Sequence, residues 1–84
     1  MLRRHPDLAW QKIGAEAVVM RLPEGPALGL NPTGTLLWSL LEETDEDGLV
    51  RALVEQFEID EPGAREDVRG FLAMLRERGL VSEA

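Results

Sequence analysis

The stretch Leu28-Gly29-Leu30-Asn31-Pro32-Thr33-Gly34-Thr35-Leu36-Leu37-Trp38-Ser39-Leu40-Leu41 constrains the fold more than any other part of the chain. A short apolar strand runs into a helix with almost no loop between them. Asn31 is suited to accept from the helix's first free N–H groups, and Pro32 supplies a helical φ where its missing donor costs nothing. The hydrophobic period therefore changes at one point, from two to 3.6 residues.

Before that point the chain reads as strands. Leu8-Ala9-Trp10-Gln11-Lys12-Ile13 alternates, with Leu8, Trp10 and Lys12 on one face. Gly14-Ala15 makes a tight connection, and Glu16-Ala17-Val18-Val19-Met20-Arg21-Leu22 returns. Pro23-Glu24-Gly25-Pro26 is a turn, because proline fixes φ and glycine accepts positive φ. Ala27-Leu28-Gly29-Leu30 is a short third strand. A three-stranded meander leaves two open edges unless something covers them.

After it, three amphipathic helices follow. The first places Leu36, Leu37, Leu40 and Leu41 on one side, with Trp38 widening the apolar arc. Thr44 and Asp47 resemble a capping box opening the second, which carries Leu49, Val50, Leu53, Val54 and Phe57. Asp60-Glu61-Pro62 opens the third, whose inward face is Ala64, Val68, Phe71, Leu72 and Leu75. Gly79 after Arg76 and Arg78 fits a cationic last turn and a left-handed cap, and Leu80 and Val81 can fold back onto the core. None of these helices stands alone, so they share a core with the meander. The expected fold is α+β and winged-helix-like: an N-terminal three-stranded antiparallel sheet, then three helices, in a single domain over residues 1–84.

Charge and composition narrow the function. The net charge is −7, with acids grouped at Glu42, Glu43, Asp45, Glu46 and Asp47 and again at Glu58, Asp60, Glu61, Glu66 and Asp67. Such a surface disfavours nucleic acid and anionic membrane, since both are bound through Lys and Arg. No apolar run spans a bilayer, and Met1-Leu2-Arg3-Arg4-His5-Pro6 lacks the apolar segment of a secretory signal, so the expected location is the cytoplasm. Zero cysteines exclude a disulfide framework, a thiolate zinc site and a cysteine nucleophile.

Little in the chain suggests catalysis. His5 is the only histidine and reads as an unpaired residue in a flexible end, so no metal site and no cofactor are expected. The acids at 42–47 lack the alternating ligands and closing glutamate of an EF-hand and read as a solvated loop. Ser39 and Ser82 have no plausible base, and Gly25, Gly29 and Gly34 do not form a phosphate-binding spacing. A domain of this size has little room for a pocket that shifts carboxylate pKa values. Trp38 reads as core, Trp10 as half-buried on its strand, and Phe71 as core or as the floor of a groove. An enzyme is not expected.

The pattern L-x-LNPTG-x-x-LW-x-LL, followed by two helices and EDV-x-x-FL-x-x-L-x-x-x-GLV, resembles the PqqD-like peptide-recognition domain over nearly the whole chain. The resemblance implies that the leader of a ribosomally synthesised precursor adds as an extra strand beside Ala27, Leu28, Gly29 and Leu30. Its side chains would enter a cleft against the third helix at Ala64, Asp67, Val68, Phe71, Met74, Leu75 and Arg78. An open edge binds an extended backbone without sequence demands, and the cleft supplies specificity. Gly29 would let the visiting backbone approach closely, and Arg65, Arg69 and Arg78 are candidates to pair with leader acids. Trp38-Ser39-Leu40-Leu41-Glu42-Glu43 looks closer to the discrete recognition proteins of lasso-peptide pathways, which implies a transglutaminase-like leader protease as partner. A radical-SAM enzyme is the alternative partner. Two readings of other classes are a winged-helix transcriptional regulator, which the net charge opposes, and a small module that dimerises through its strand edges.

Overall fold

The computed structural model describes residues 1–83. The elements run β1 (Leu2–Arg4), β2 (Leu8–Ile13), β3 (Glu16–Arg21), β4 (Ala27–Leu30), α1 (Pro32–Leu40), α2 (Glu46–Phe57), α3 (Glu61–Glu77) and β5 (Val81–Glu83). The expected meander is present as an antiparallel sheet in the order β2-β3-β4, followed by the three helices. A second, two-stranded sheet pairs β1 with β5, Leu2 opposite Glu83 and Arg4 opposite Val81.

That second sheet corrects the reading of the N-terminus as a flexible end. Leu2 and Val81 are both buried, and His5 donates its N–H to the Leu80 carbonyl at 2.9 Å. The His5 ring has partners as well: Nδ1 accepts from the Asp7 N–H at 3.0 Å, and Nε2 lies 2.9 Å from the Arg21 guanidinium. Three-residue strands form here because their apolar ends dock on the helical core, which offsets an intrinsic pairing too short to persist alone.

Alternation along β3 separates the faces of the main sheet. Ala17 and Val19 point to the helices and are buried, with Leu28 and Leu30 opposite Val19 and Ala17 on β4. Trp10, opposite Val19 on β2, meets Trp38 of α1 edge-to-face at 6.0 Å and 82°. Arg4 lies over both indoles, 5.1 Å from the Trp10 ring centre and 5.3 Å from that of Trp38. Its guanidinium donates to the Trp38 carbonyl at the last turn of α1 and to Glu42 Oε1 at 2.9 Å. A cation at a helix C-terminus satisfies carbonyls that have no intrahelical partner.

The helix caps follow the chain closely, with one shift. Asn31 Oδ1 accepts from the Gly34 N–H at 2.8 Å, as expected. For α2 the cap is Asp45, not Thr44: its Oδ1 accepts from the Gly48 N–H at 2.9 Å. Thr44 instead lies against Gly48, where a Cβ would strike its side chain. Gly79, at φ +69°, ends α3 as expected, and the following Leu80 N–H donates to the Leu75 carbonyl.

Candidate functional site

β4 is the outermost strand of its sheet, and the hydrogen-bond pattern fixes which of its groups are free. Leu22 donates to the Asp7 carbonyl, and that pair continues the β2–β3 register. Bonded pairs alternate in an antiparallel ladder, so even-numbered residues of β3 bond to β2 and Ala17 and Val19 bond toward β4. Their partners Leu30 and Leu28 therefore turn N–H and C=O inward. Ala27 and Gly29 turn theirs to the open edge. Both are exposed.

The long helix α3 is tied to the sheet at two points, one at the end of β4 and one at the end of β3. At one end Gly34 separates Leu30 from Phe71. A Cβ built on Gly34 would stand 3.2 Å from the Phe71 ring and 3.7 Å from Leu30 Cβ, so a larger residue there would press the ring outward. At the other end Arg21, the last residue of β3, donates through Nη1 to the Gly79 carbonyl at 3.2 Å. Asp67, Phe71, Met74 and Arg78 form one stripe along α3 at three- and four-residue spacing. Asp67 and Phe71, with Asn31, Thr33, Gly34 and Leu37, line a hollow of roughly 260 Å³ at the closed end.

The predicted site residues divide by depth. Ala27, Gly29, Asp67 and Arg78 are exposed, and Leu28, Phe71 and Met74 are partly buried. Leu30, Ala64, Val68 and Leu75 sit in the core, the last three with no exposed surface. Helix position explains the split: Ala64, Val68, Leu72 and Leu75 form the stripe facing α2 and the other elements, one step around from the Phe71 stripe. Asn31 and Thr33 belong to the hollow but were absent from the sequence reading. Only the capping role of Asn31 was visible, and the place of both opposite Asp67 depends on how α3 crosses α1.

Two arginines expected to face outward are engaged within the chain. Arg65 bridges Glu46 at 2.9 Å, Asp47 at 3.0 Å and Glu61 at 3.7 Å, and Arg69 reaches Glu46 at 3.1 Å. The hydrogen bond to Asp47 raises the pKa of Arg65 most. These pairs tie the start of α2 to α3. Arg78 has no salt bridge among the described residues. Among those residues no group of three or more His, Asp or Glu is placed to hold a metal, and no helix is long and apolar enough to cross a membrane.

Two solved structures share this fold. One, described as TbiB1 in complex with the TbiA(beta) leader peptide, superposes with a TM-score of 0.88 at 29% identity, covering 98% of this chain and 96% of the other. A lasso peptide synthetase B1 complexed with the leader peptide gives 0.84 at 20% identity, with 98% of each chain covered, and speaks for the fold alone. No curated protein sequence matches the chain. The family model for coenzyme PQQ synthesis protein D (PqqD) matches residues 16–81. The match begins at the first residue of β3, ends at the first of β5 and takes in the strand edge and helix described above, so this chain belongs to the PqqD family.

Proposed function

We propose that the chain is a non-catalytic binding module that captures the leader of a ribosomally synthesised precursor peptide by strand addition at β4. The observation that carries this reading is the outward pair of Ala27 and Gly29, whose free backbone groups run beside a cleft held between two pins. An extended peptide gains main-chain hydrogen bonds at such an edge and places alternate side chains in the cleft. Phe71, Met74 and Leu28 give the cleft an apolar wall, while Asp67 and Arg78 border it. Leu30, Ala64, Val68 and Leu75 hold that wall from behind.

The leader-bound TbiB1, at 29% identity, supports this reading. In this reading the pathway is of the lasso type, and the module hands its peptide to a separate leader protease of the transglutaminase-like kind in the cytoplasm. Delivery to a radical-SAM enzyme is the alternative within the family. A DNA-binding role is disfavoured by a net charge of −7.

The test is a titration of isotope-labelled protein with a lasso-precursor leader peptide. Amide shifts concentrated at residues 27–30 and along the Phe71 stripe are the expected result. Shifts confined to β2, or no binding in a correctly folded sample, would overturn strand addition at β4. Retardation of DNA at low salt would favour the regulator instead.

A further inference from the structure

Gly29 is a glycine that neither its own backbone nor its neighbours require. Its φ lies outside the left-handed region, and a Cβ built on it would meet nothing within 4 Å. Gly34 and Gly48 differ, because a Cβ there would press on Phe71 and Thr44. Glycine inside a strand costs stability, through chain entropy and lost packing. The missing side chain therefore leaves room for something outside the chain.

By alternation with Leu28 and Leu30, position 29 faces away from the helices. Its partner on β3 is Val18, 41% exposed on that same outer face. A hollow of roughly 320 Å³ opens there, lined by Ile13, Val18, Gly29, Asn31 and Glu16 among others. Ile13 is 63% exposed, so the apolar floor is uncovered. Glu16 is the one charged residue of the lining, and it has no salt bridge among the described residues. The Oδ1 of Asn31 is already engaged by the Gly34 N–H and the Thr33 hydroxyl.

We propose that this hollow is a second specificity pocket for the bound peptide, on the outer face of the sheet, and that it takes a lysine or arginine side chain. The inference rests on strand addition at β4. An added strand sends alternate side chains to the two faces, so the residue opposite Gly29 points to the outer face while its neighbours point into the cleft. Val18 lies two strand spacings, about 10 Å, from the added backbone. Crossing a bare glycine to reach it needs a long, unbranched side chain. Lys and Arg rest their methylene stems on apolar surface and keep the charged head in water. Val18 and Ile13 receive the stem, and the Glu16 carboxylate receives the charge. A short side chain would stop above Gly29, and an acidic one would meet Glu16 with like charge.

A displayed library of random peptides, selected in parallel on the native chain and on Glu16→Lys, tests this, with thermal melts confirming that the variant is folded. The native chain is expected to enrich apolar residues at alternate positions, with Lys or Arg enriched roughly two- to fivefold at one position between them, the range of an exposed ion pair. Glu16→Lys should abolish the preference for Lys or Arg at that position and leave the apolar ones unchanged. Apolar enrichment with no cationic position, or a cationic position indifferent to Glu16→Lys, would overturn the pocket while leaving strand addition intact. Failure of the native chain to enrich any extended peptide would overturn strand addition and the pocket with it.

Discussion

The guanidinium of Arg21 and the carbonyl of Gly79 meet at 3.2 Å across 58 residues of sequence. Through that contact the end of β3 holds the end of α3. Arg21→Ala should cost about 0.5–1.5 kcal/mol of stability, the net worth of one such hydrogen bond. Leader affinity should fall by more than the stability loss alone explains, because the helix end is released. Chemical denaturation and calorimetric titration of the same samples measure the two effects. Unchanged affinity would show that the cleft keeps its width without this pin.

Gly34 sets the opposite end. Gly34→Ala removes a helical glycine, worth about 1 kcal/mol in favour of α1, but presses a methyl on Phe71 and Asn31, each 3.2 Å from the new atom. Overpacking of this kind costs about 1–3 kcal/mol. The net effect should be destabilising, and Phe71→Leu introduced alongside should recover part of it. A double-mutant cycle by denaturant melts should return a favourable coupling energy between positions 34 and 71. Strict additivity would mean that the ring simply moves aside.

The edge makes a sharp distinction between neighbours. Gly29→Pro removes an outward N–H and should abolish most leader binding with little loss of stability, since proline is tolerated where the donor faces solvent. Leu28→Pro removes an inward donor of the β3–β4 ladder and should destabilise the sheet itself. Hydrogen exchange at Ala17 and Val19, read beside peptide affinity, separates the outcomes. If Gly29→Pro binds leader normally, the peptide docks elsewhere.

On α3, neighbouring stripes should respond differently. Leu72 is 4% exposed and belongs to the core, so Leu72→Ala should destabilise by about 2–5 kcal/mol through a cavity. Met74 is only partly buried, and Met74→Ala should leave stability nearly unchanged while weakening leader binding by about 1 kcal/mol, because an apolar contact is lost. Melting temperature and affinity measured for both variants decide which stripe lines the cleft. A reversal of the two effects would move the site to the other face.

Much of this architecture was legible because its signals are local. The Asn31-Pro32 junction, the Gly79 cap and the alternation of β2 and β3 each depend on residues a few positions apart, and all three stand as the chain implied. What was not legible depends on distant partners. The pairing of β1 with β5 has no periodicity to announce it, since three residues cannot show an alternation, and it exists because Leu2 and Val81 reach the same core. The engagement of Arg65 and Arg69 by Glu46 follows from how α2 crosses α3, which charge counting does not reveal. The α2 cap moved by one residue because Thr44 and Asp45 both accept hydrogen bonds well, and only the space over Gly48 separates them. Within the candidate site, the strand at the sheet edge and the alignment of Asp67, Phe71 and Met74 along one face of α3 were readable. Their closure at Gly34 was not, because it needed the ring and the glycine in the same place.

Arg4 draws together parts of the molecule that would otherwise come apart separately. One side chain touches the small sheet, the last turn of α1, Glu42 and both indoles. Peeling β1 away would strip a helix end of its cation and take the guanidinium off both tryptophans at the same moment. The chain's first strand is thereby enrolled in the same cooperative unit as its hydrophobic centre, and an opening that begins at the N-terminus has no shallow intermediate in which to stop. Indole emission, ordinarily a signal of the core, would in this protein report on its outermost strand.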